Sequence, residues 1–251
     1  LLWSHGVFFP TEVDDLSTLG GLLSRLPGFT VVRWDARGHG RTPPAATADQ
    51  HRWENLGAEV IALADALGFE RFAVGGISMG AAATLHAAVQ APSRIAAVLL
   101  LALPTAWETR PPEQQRYRDL LAFGTPQALA DHVQEDMDAL FPDGSIPASL
   151  RAMIASIRAA SWEALSRVIE GASRSDLPRR SALDALSMPV LLRPWHGDSG
   201  HPISTAEALR AALPGLDYQL IGGFDDEPGL LDAFAALRNL CTGLTPSRSG
   251  V

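Results

Sequence analysis

Cysteine is almost absent. The single Cys241 excludes an internal disulfide, which is compatible with a reducing cytosol and makes a cytoplasmic location the expectation. Positive charge is in deficit: 20 Lys and Arg stand against 28 Asp and Glu, and the net −8 argues against nucleic acid or an anionic membrane as a main partner. No apolar run approaches the roughly 20 residues of a membrane span. No basic stretch followed by a cleavage site marks a signal peptide. The chain also lacks a Cys/His metal cluster, a phosphate-cradling glycine loop and a dinucleotide fingerprint, and Gly20-Gly21 is a local pair inside a helical pattern. No metal and no cofactor are expected. What remains is a chain with 47% hydrophobic and 19% charged residues, the balance of a folded soluble protein. Its 251 residues suffice for one large α/β domain with an insertion. It opens without Met, inside the apolar segment Leu1-Leu2-Trp3, which reads as a fragment or a trimmed amino terminus.

Short apolar runs alternate with amphipathic stretches, the pattern of a mostly parallel sheet with helices on both faces. Strands are predicted at Leu1–Ser4, Thr30–Trp34, Arg71–Gly76, Ala96–Ala102, Pro189–Trp195 and Tyr218–Ile221. Helices are predicted at about 14–26, 53–68, 79–90, 203–213 and 227–241. In 53–68, Leu56, Val60, Leu63, Ala64 and Leu67 recur at helical spacing, and Gly68 stands where a cap is expected. Between the fourth and fifth strands lie roughly eighty residues with helical runs near 111–123, 126–140, 147–158 and 161–171. A crossover needs only about a dozen. The excess predicts a helical cap at 105–187 inserted into a core of 1–104 and 188–242, followed by a flexible tail at 243–251.

The chemistry-bearing motif is Gly76-Ile77-Ser78-Met79-Gly80, a G-x-S-x-G. It follows the apolar run Phe72-Ala73-Val74 and leads into the helix-forming run from Ala81 to Ala88. Strand, sharp turn and helix in that order are the context of a nucleophile elbow. Its glycines allow a strained turn and close backbone approach. A serine in such a run is otherwise only a turn residue.

With Ser4-His5-Gly6-Val7, Asp35-Ala36-Arg37-Gly38-His39-Gly40-Arg41-Thr42 and Asp198-Ser199-Gly200-His201-Pro202, this motif makes the chain resemble the α/β-hydrolase superfamily. The likeness is to the cap-bearing esterase, enol-lactonase and carbon–carbon-bond hydrolase branch. It covers nearly the whole chain but specifies no one substrate. The resemblance implies a Ser78 nucleophile, Asp198 as the acid, and the N–H groups of Val7 and Met79 as oxyanion donors. It makes Asp35 to Arg41 a supporting turn. Members carry two further strands before the His-Gly block, which fits a trimmed amino terminus.

One element of the family pattern is missing. After the last strand a glycine turn should lead to histidine, but the chain continues Gly222-Gly223-Phe224-Asp225-Asp226-Glu227. A carboxylate of pKa about 4 is a weak base towards a serine hydroxyl. Of the seven histidines, His5 and His39 belong to structural turns, His51 lies before a helix, His86 within the elbow helix, and His132 in the cap. His196 and His201 flank Asp198, and His201 occupies a position that lines the pocket in members of the family. His201 is therefore the candidate base. Three readings stay open: a serine hydrolase with an altered triad, a lyase or cyclase that keeps the fold, and an inactive small-ligand binder.

The cap contributes Trp107, Tyr117, Phe123, Met137, Phe141, Met153, Ile154 and Trp162, most of them packing residues. A few are expected to face a pocket walled on the other side by Val7, Phe8 and Phe9. The expected guest is a small, mainly apolar carbonyl compound, an ester or lactone. Arg110, Arg116 and Arg118 are expected on a solvated surface near the cap entrance, where they could meet a carboxylate. A monomer or weak homodimer is expected.

Overall fold

The computed structural model describes residues 1–242, and the tail predicted flexible at 243–251 lies outside them. Among the described residues six strands form one parallel sheet: β1 Leu2–Ser4, β2 Val32–Arg33, β3 Phe72–Ile77, β4 Ile95–Leu101, β5 Val190–Arg193 and β6 Asp217–Tyr218. Their spatial order is β2-β1-β3-β4-β5-β6. The helices are α1 Thr11–Asp14, α2 Thr18–Leu23, α3 Trp53–Ala66, α4 Met79–Gln90, α5 Arg110–Leu120, α6 Pro126–Leu140, α7 Ala148–Ala159, α8 Trp162–Ser173, α9 Ile203–Ala212 and α10 Glu227–Leu240.

Alternating side chains divide the sheet between two cores. Leu2, Val74, Val98, Leu100, Val190 and Leu192 pack on one face with α3, α4 and α9. Trp3, Ala73, Leu99, Leu101 and Leu191 pack on the other with α2 and α10. All seven residues of β4 are buried, as a central parallel strand covered on both faces requires. The edges are shorter than the sequence suggests. β2 keeps two residues of the predicted 30–34, and β6 ends at Tyr218, because an edge strand has a ladder partner on one side only.

The helix predicted at 14–26 is two helices. The Ser17 hydroxyl accepts from the Gly20 amide and starts α2 afresh, while Asp15 ends α1, so local capping overrides the continuous apolar spacing. Helices α5–α8 fill the stretch between β4 and β5. They share an apolar cluster of Tyr117, Leu129, Ile154, Ile157, Leu165 and Ile169, joined by Val13 from α1.

Arg110 departs most from expectation. It is 1% exposed, not solvated. Its guanidinium lies 4.1 Å from the Trp53 ring centroid. Nε donates to Ser175 C=O at 2.8 Å, Nη2 to Ala172 C=O, and Nη1 to Thr105 Oγ1 at 3.2 Å. These bonds tie the end of α8 to the start of α5, so Arg110 is a structural tie and no carboxylate reader. Arg116 pairs with Glu113, and Arg118 donates to Gln115. Arg110→Met should lower unfolding free energy by about 3 kcal/mol, since it strips charge-assisted bonds from a buried site. Urea unfolding of the intact chain measures this, and an unchanged midpoint would refute the structural role.

Candidate functional site

Ser78 stands between β3 and α4 with φ 56° and ψ −119°, a backbone conformation that non-glycine residues rarely adopt. The turn closes because its neighbours have no Cβ. One added at Gly80 would lie 2.0 Å from Ser4 O, and one at Gly76 would lie 2.5 Å from the Gly80 carbonyl. The Ser78 N–H is shared between the Leu101 and Ala102 carbonyls at the end of β4, each at 3.2 Å. Ser78 itself is half-buried.

The structure brings Ser78, His201 and Asp198 into one hydrogen-bonded line. His201 Nε2 lies 2.7 Å from Ser78 Oγ, and His201 Nδ1 lies 2.7 Å from Asp198 Oδ2. An ionised carboxylate only accepts, so Nδ1 carries the proton and Nε2 is free to accept from the serine hydroxyl. Asp198 Oδ1 takes the Gly200 and His201 amides at 3.0 and 3.2 Å, which wraps the loop into a tight turn. Burial works to raise the Asp198 pKa, but the bond to His201, that ring's charge and the two amides outweigh it and hold it below the ordinary value. The His201 and Asp198 side chains remain 24% and 33% exposed.

Among the described residues, no protein group accepts a hydrogen bond from the Val7 or Met79 N–H. Met79 is the first residue of α4, where the helix dipole favours negative charge, and its side chain is buried in the core. The Val7 loop is shaped by His5, whose Nδ1 lies 2.7 Å from Gly6 O and whose Nε2 accepts from the Ala36 N–H at 3.0 Å. The next residue, Phe8, has φ 62°. Asp35 accepts from the Thr11 amide and hydroxyl and from the Arg41 amide. The Asp35–Arg41 turn thus braces this loop from behind.

The other histidines lie in packing or on the surface. His39 is edge-on to His5 at 4.8 Å. His51 is buried and accepts from the Ala45 amide, and His86 meets the Asp176 carbonyl at 2.9 Å. His132 stacks on Phe123, and His196 is exposed. In the loop between β6 and α10, Asp226 caps α10 through the Gly229 amide and also accepts from Gly222. No motif marks Thr105, Thr109 or Thr205, yet bonds from the segment after β4 reach the His201 turn and α9 through them.

Burial pushes the His5 pKa down, and drives that of His39 from 6.5 to about 3, with His5 adding to the fall. The His39 ring is therefore neutral when folded and, between those values, takes up a proton only on unfolding. The unfolded chain binds more protons in that window, so stability rises with pH through it and is lost as pH falls below 6.5. His39 alone should cost about 2 kcal/mol at pH 5. The melting temperature should fall between pH 7 and 5, and His39→Gln should shrink the fall. Equal melting temperatures at both pH values would contradict this.

Phe8 and Phe9, expected as a pocket wall with Val7, are both half-buried. Both pack against the α5–α8 cluster with Phe123, Met137 and Trp162, while Trp107 joins the α3/α4 core and donates to Pro178 C=O. The hollow that Phe8 lines with Pro10, His39, Ile157 and Val168 measures about 20 Å³, the size of one water. A groove of about 520 Å³ lies beside Leu26, Phe29 and Val31, and Ser78 does not line it. No described helix is long and apolar enough to cross a membrane, and among the described residues no His, Cys, Asp and Glu cluster could hold a metal ion.

A protein of Caulobacter sp. (strain K31) named "Putative carbamate hydrolase RutD" is 29% identical over 251 residues, covering 96% of this chain and 88% of that one. Among solved structures, a thermophilic esterase from Thermogutta terrifontis superposes with a TM-score of 0.77 at 20% identity, covering 96% of this chain and 90% of that one. The enol-lactonase from Burkholderia xenovorans LB400 gives 0.71 at 21%, with the same coverage. At such identities these structures speak for the fold alone. The family model of the alpha/beta hydrolase fold matches residues 4–225, from the end of β1 to the loop before α10. With that match over most of its length, and the parallel sheet and elbow already described, the chain belongs to the alpha/beta hydrolase fold family.

Proposed function

We propose that the protein is a serine hydrolase of a small, mainly apolar carboxylic ester or lactone, working through Ser78, His201 and Asp198. The observation that carries this reading is the pair of 2.7 Å bonds joining the three side chains. In this mechanism Ser78 Oγ attacks the substrate carbonyl as its proton passes to His201 Nε2. Asp198 keeps the ring oriented and stabilises the imidazolium. The oxyanion forms beside the Val7 and Met79 N–H groups, each worth about 3–4 kcal/mol of barrier. His201 then returns the proton to the leaving alkoxide, and water, deprotonated by the same ring, releases the acid from the acyl-serine. No metal or cofactor takes part in this scheme.

Helices α5–α8, whose shared cluster is apolar, are read as the cap above the site. A carbamate is the second reading, favoured by the likeness to the Caulobacter protein, since the same attack serves a carbamoyl carbonyl. Both are tested by reaction with a fluorophosphonate probe, followed by turnover of p-nitrophenyl acetate, a simple lactone and an aryl carbamate. Wild type should label at Ser78, Ser78→Ala should not, and the preferred substrate distinguishes the readings. A wild-type protein that neither labels nor turns over would leave the non-hydrolytic and ligand-binding readings.

A further inference from the structure

His201 stands on an irregular loop between β5 and α9, not at a strand end. The bonds inside that loop are local: the Asp198 carboxylate with the Gly200 and His201 amides, and the His201 N–H on Asp198 C=O at 3.3 Å. They make a tight turn without fixing it relative to Ser78. The loop's start is tied to the segment that follows β6 by the Ile221 N–H on Pro194 C=O at 3.1 Å. Its far half is held from another direction.

The segment Thr105–Thr109, which leads from β4 into α5, reaches both flanks of His201. The Thr105 N–H donates to Gly200 C=O at 3.2 Å, one residue before the ring. Thr109 Oγ1 meets Thr205 Oγ1 at 3.1 Å in the first turn of α9, four residues after it. The Thr109 hydroxyl already donates to Ala106 C=O and accepts from the Ala106 N–H, so Thr205 is the donor of the shared bond. Thr105 and Thr205 are both buried, which shields these bonds from competing water. Thr105 is in turn held by the buried Arg110 through its hydroxyl.

We propose that Thr105 and Thr205 are positioning residues for the base, the two ends of a brace that holds the His201 ring within reach of Ser78. This rests on reading Ser78 as nucleophile and His201 as base. A histidine three residues from its acid must satisfy two partners from one short turn, and a displacement of about 1 Å can cost 10²-fold in rate. The brace restricts that displacement by clamping the chain on both sides of the ring.

The test is Thr205→Val in the full chain, which removes the donated bond at nearly constant shape. Labelling of Ser78 by a fluorophosphonate is followed at increasing probe concentration. The saturating rate should fall about 10-fold, with the half-saturating concentration unchanged and the melting temperature within a few degrees of wild type. Thr205→Ser, which keeps the donor, should restore the rate. Thr109→Val, which removes the acceptor of the same bond, should act in the same direction and replaces Thr205→Val if that variant does not fold. A wild-type saturating rate in a folded valine variant overturns the brace, as does a serine variant no faster than valine. A wild-type protein that fails to label overturns the catalytic reading itself, and the brace falls with it.

Discussion

His201→Ala should reduce both Ser78 labelling and ester turnover by about 10³-fold or more, because removing one member of a hydrogen-bonded catalytic set leaves only oxyanion stabilisation and binding. Asp198→Asn should lose about as much, since an amide in place of the carboxylate favours the wrong ring tautomer. Both side chains are partly exposed, so neither change removes core packing, and the variants should melt close to wild type. His196→Ala, two residues before Asp198 and exposed, should stay within about twofold of wild type. The comparison separates a base at His201 from a serine activated by some other group. Undiminished labelling in folded His201→Ala would end the proposed mechanism, whatever the fold.

The second large effect concerns the turn that carries Ser78. Gly80→Ala adds a Cβ 2.0 Å from the Ser4 carbonyl oxygen and 2.7 Å from that of His5. Both are backbone atoms, at the end of β1 and just beyond it, so no side-chain rotation relieves the clash. Either β1 leaves the sheet or α4 moves away, and both carry core residues. The expected loss exceeds about 4 kcal/mol, the range reserved for backbone and core disruption, and is read as insoluble protein or a collapsed urea midpoint. Gly21→Ala is the control. Nothing lies within 4 Å of its added Cβ, it sits inside α2, and it should be neutral or slightly stabilising. Equal stability of Gly80→Ala and wild type would mean the elbow is looser than its contacts imply.

Much of the scaffold could be read in advance, for a physical reason in each case. β4 showed itself as a continuous apolar run because a central parallel strand is buried on both faces. Helix α3 was visible in its apolar spacing and its closing glycine. The break between α1 and α2 was not, because one serine hydroxyl and one amide decide it while the apolar spacing runs through. Arg110 was misplaced on the surface because an arginine beside two prolines looks solvated. Its burial depends on Trp53 and on carbonyls more than sixty residues further along the chain. The packing of Phe8 and Phe9 against the α5–α8 cluster was not legible either, since two aromatic residues do not reveal which helix will cover them.

By itself the sequence determined the strand–turn–helix at Ser78, the absence of a histidine from the glycine turn after the last strand, and the short list of rings available near Asp198. Those are matters of local sterics and of which residue types occur within a few positions of one another. Only the tertiary structure decided which ring arrives. His201 and Ser78 are 123 residues apart in the chain, and their 2.7 Å contact exists because β3 and β5 flank β4 in parallel and end on the same side. Local patterns encode the elements. Long-range closure, the sum of many packed contacts, sets the distances on which chemistry depends.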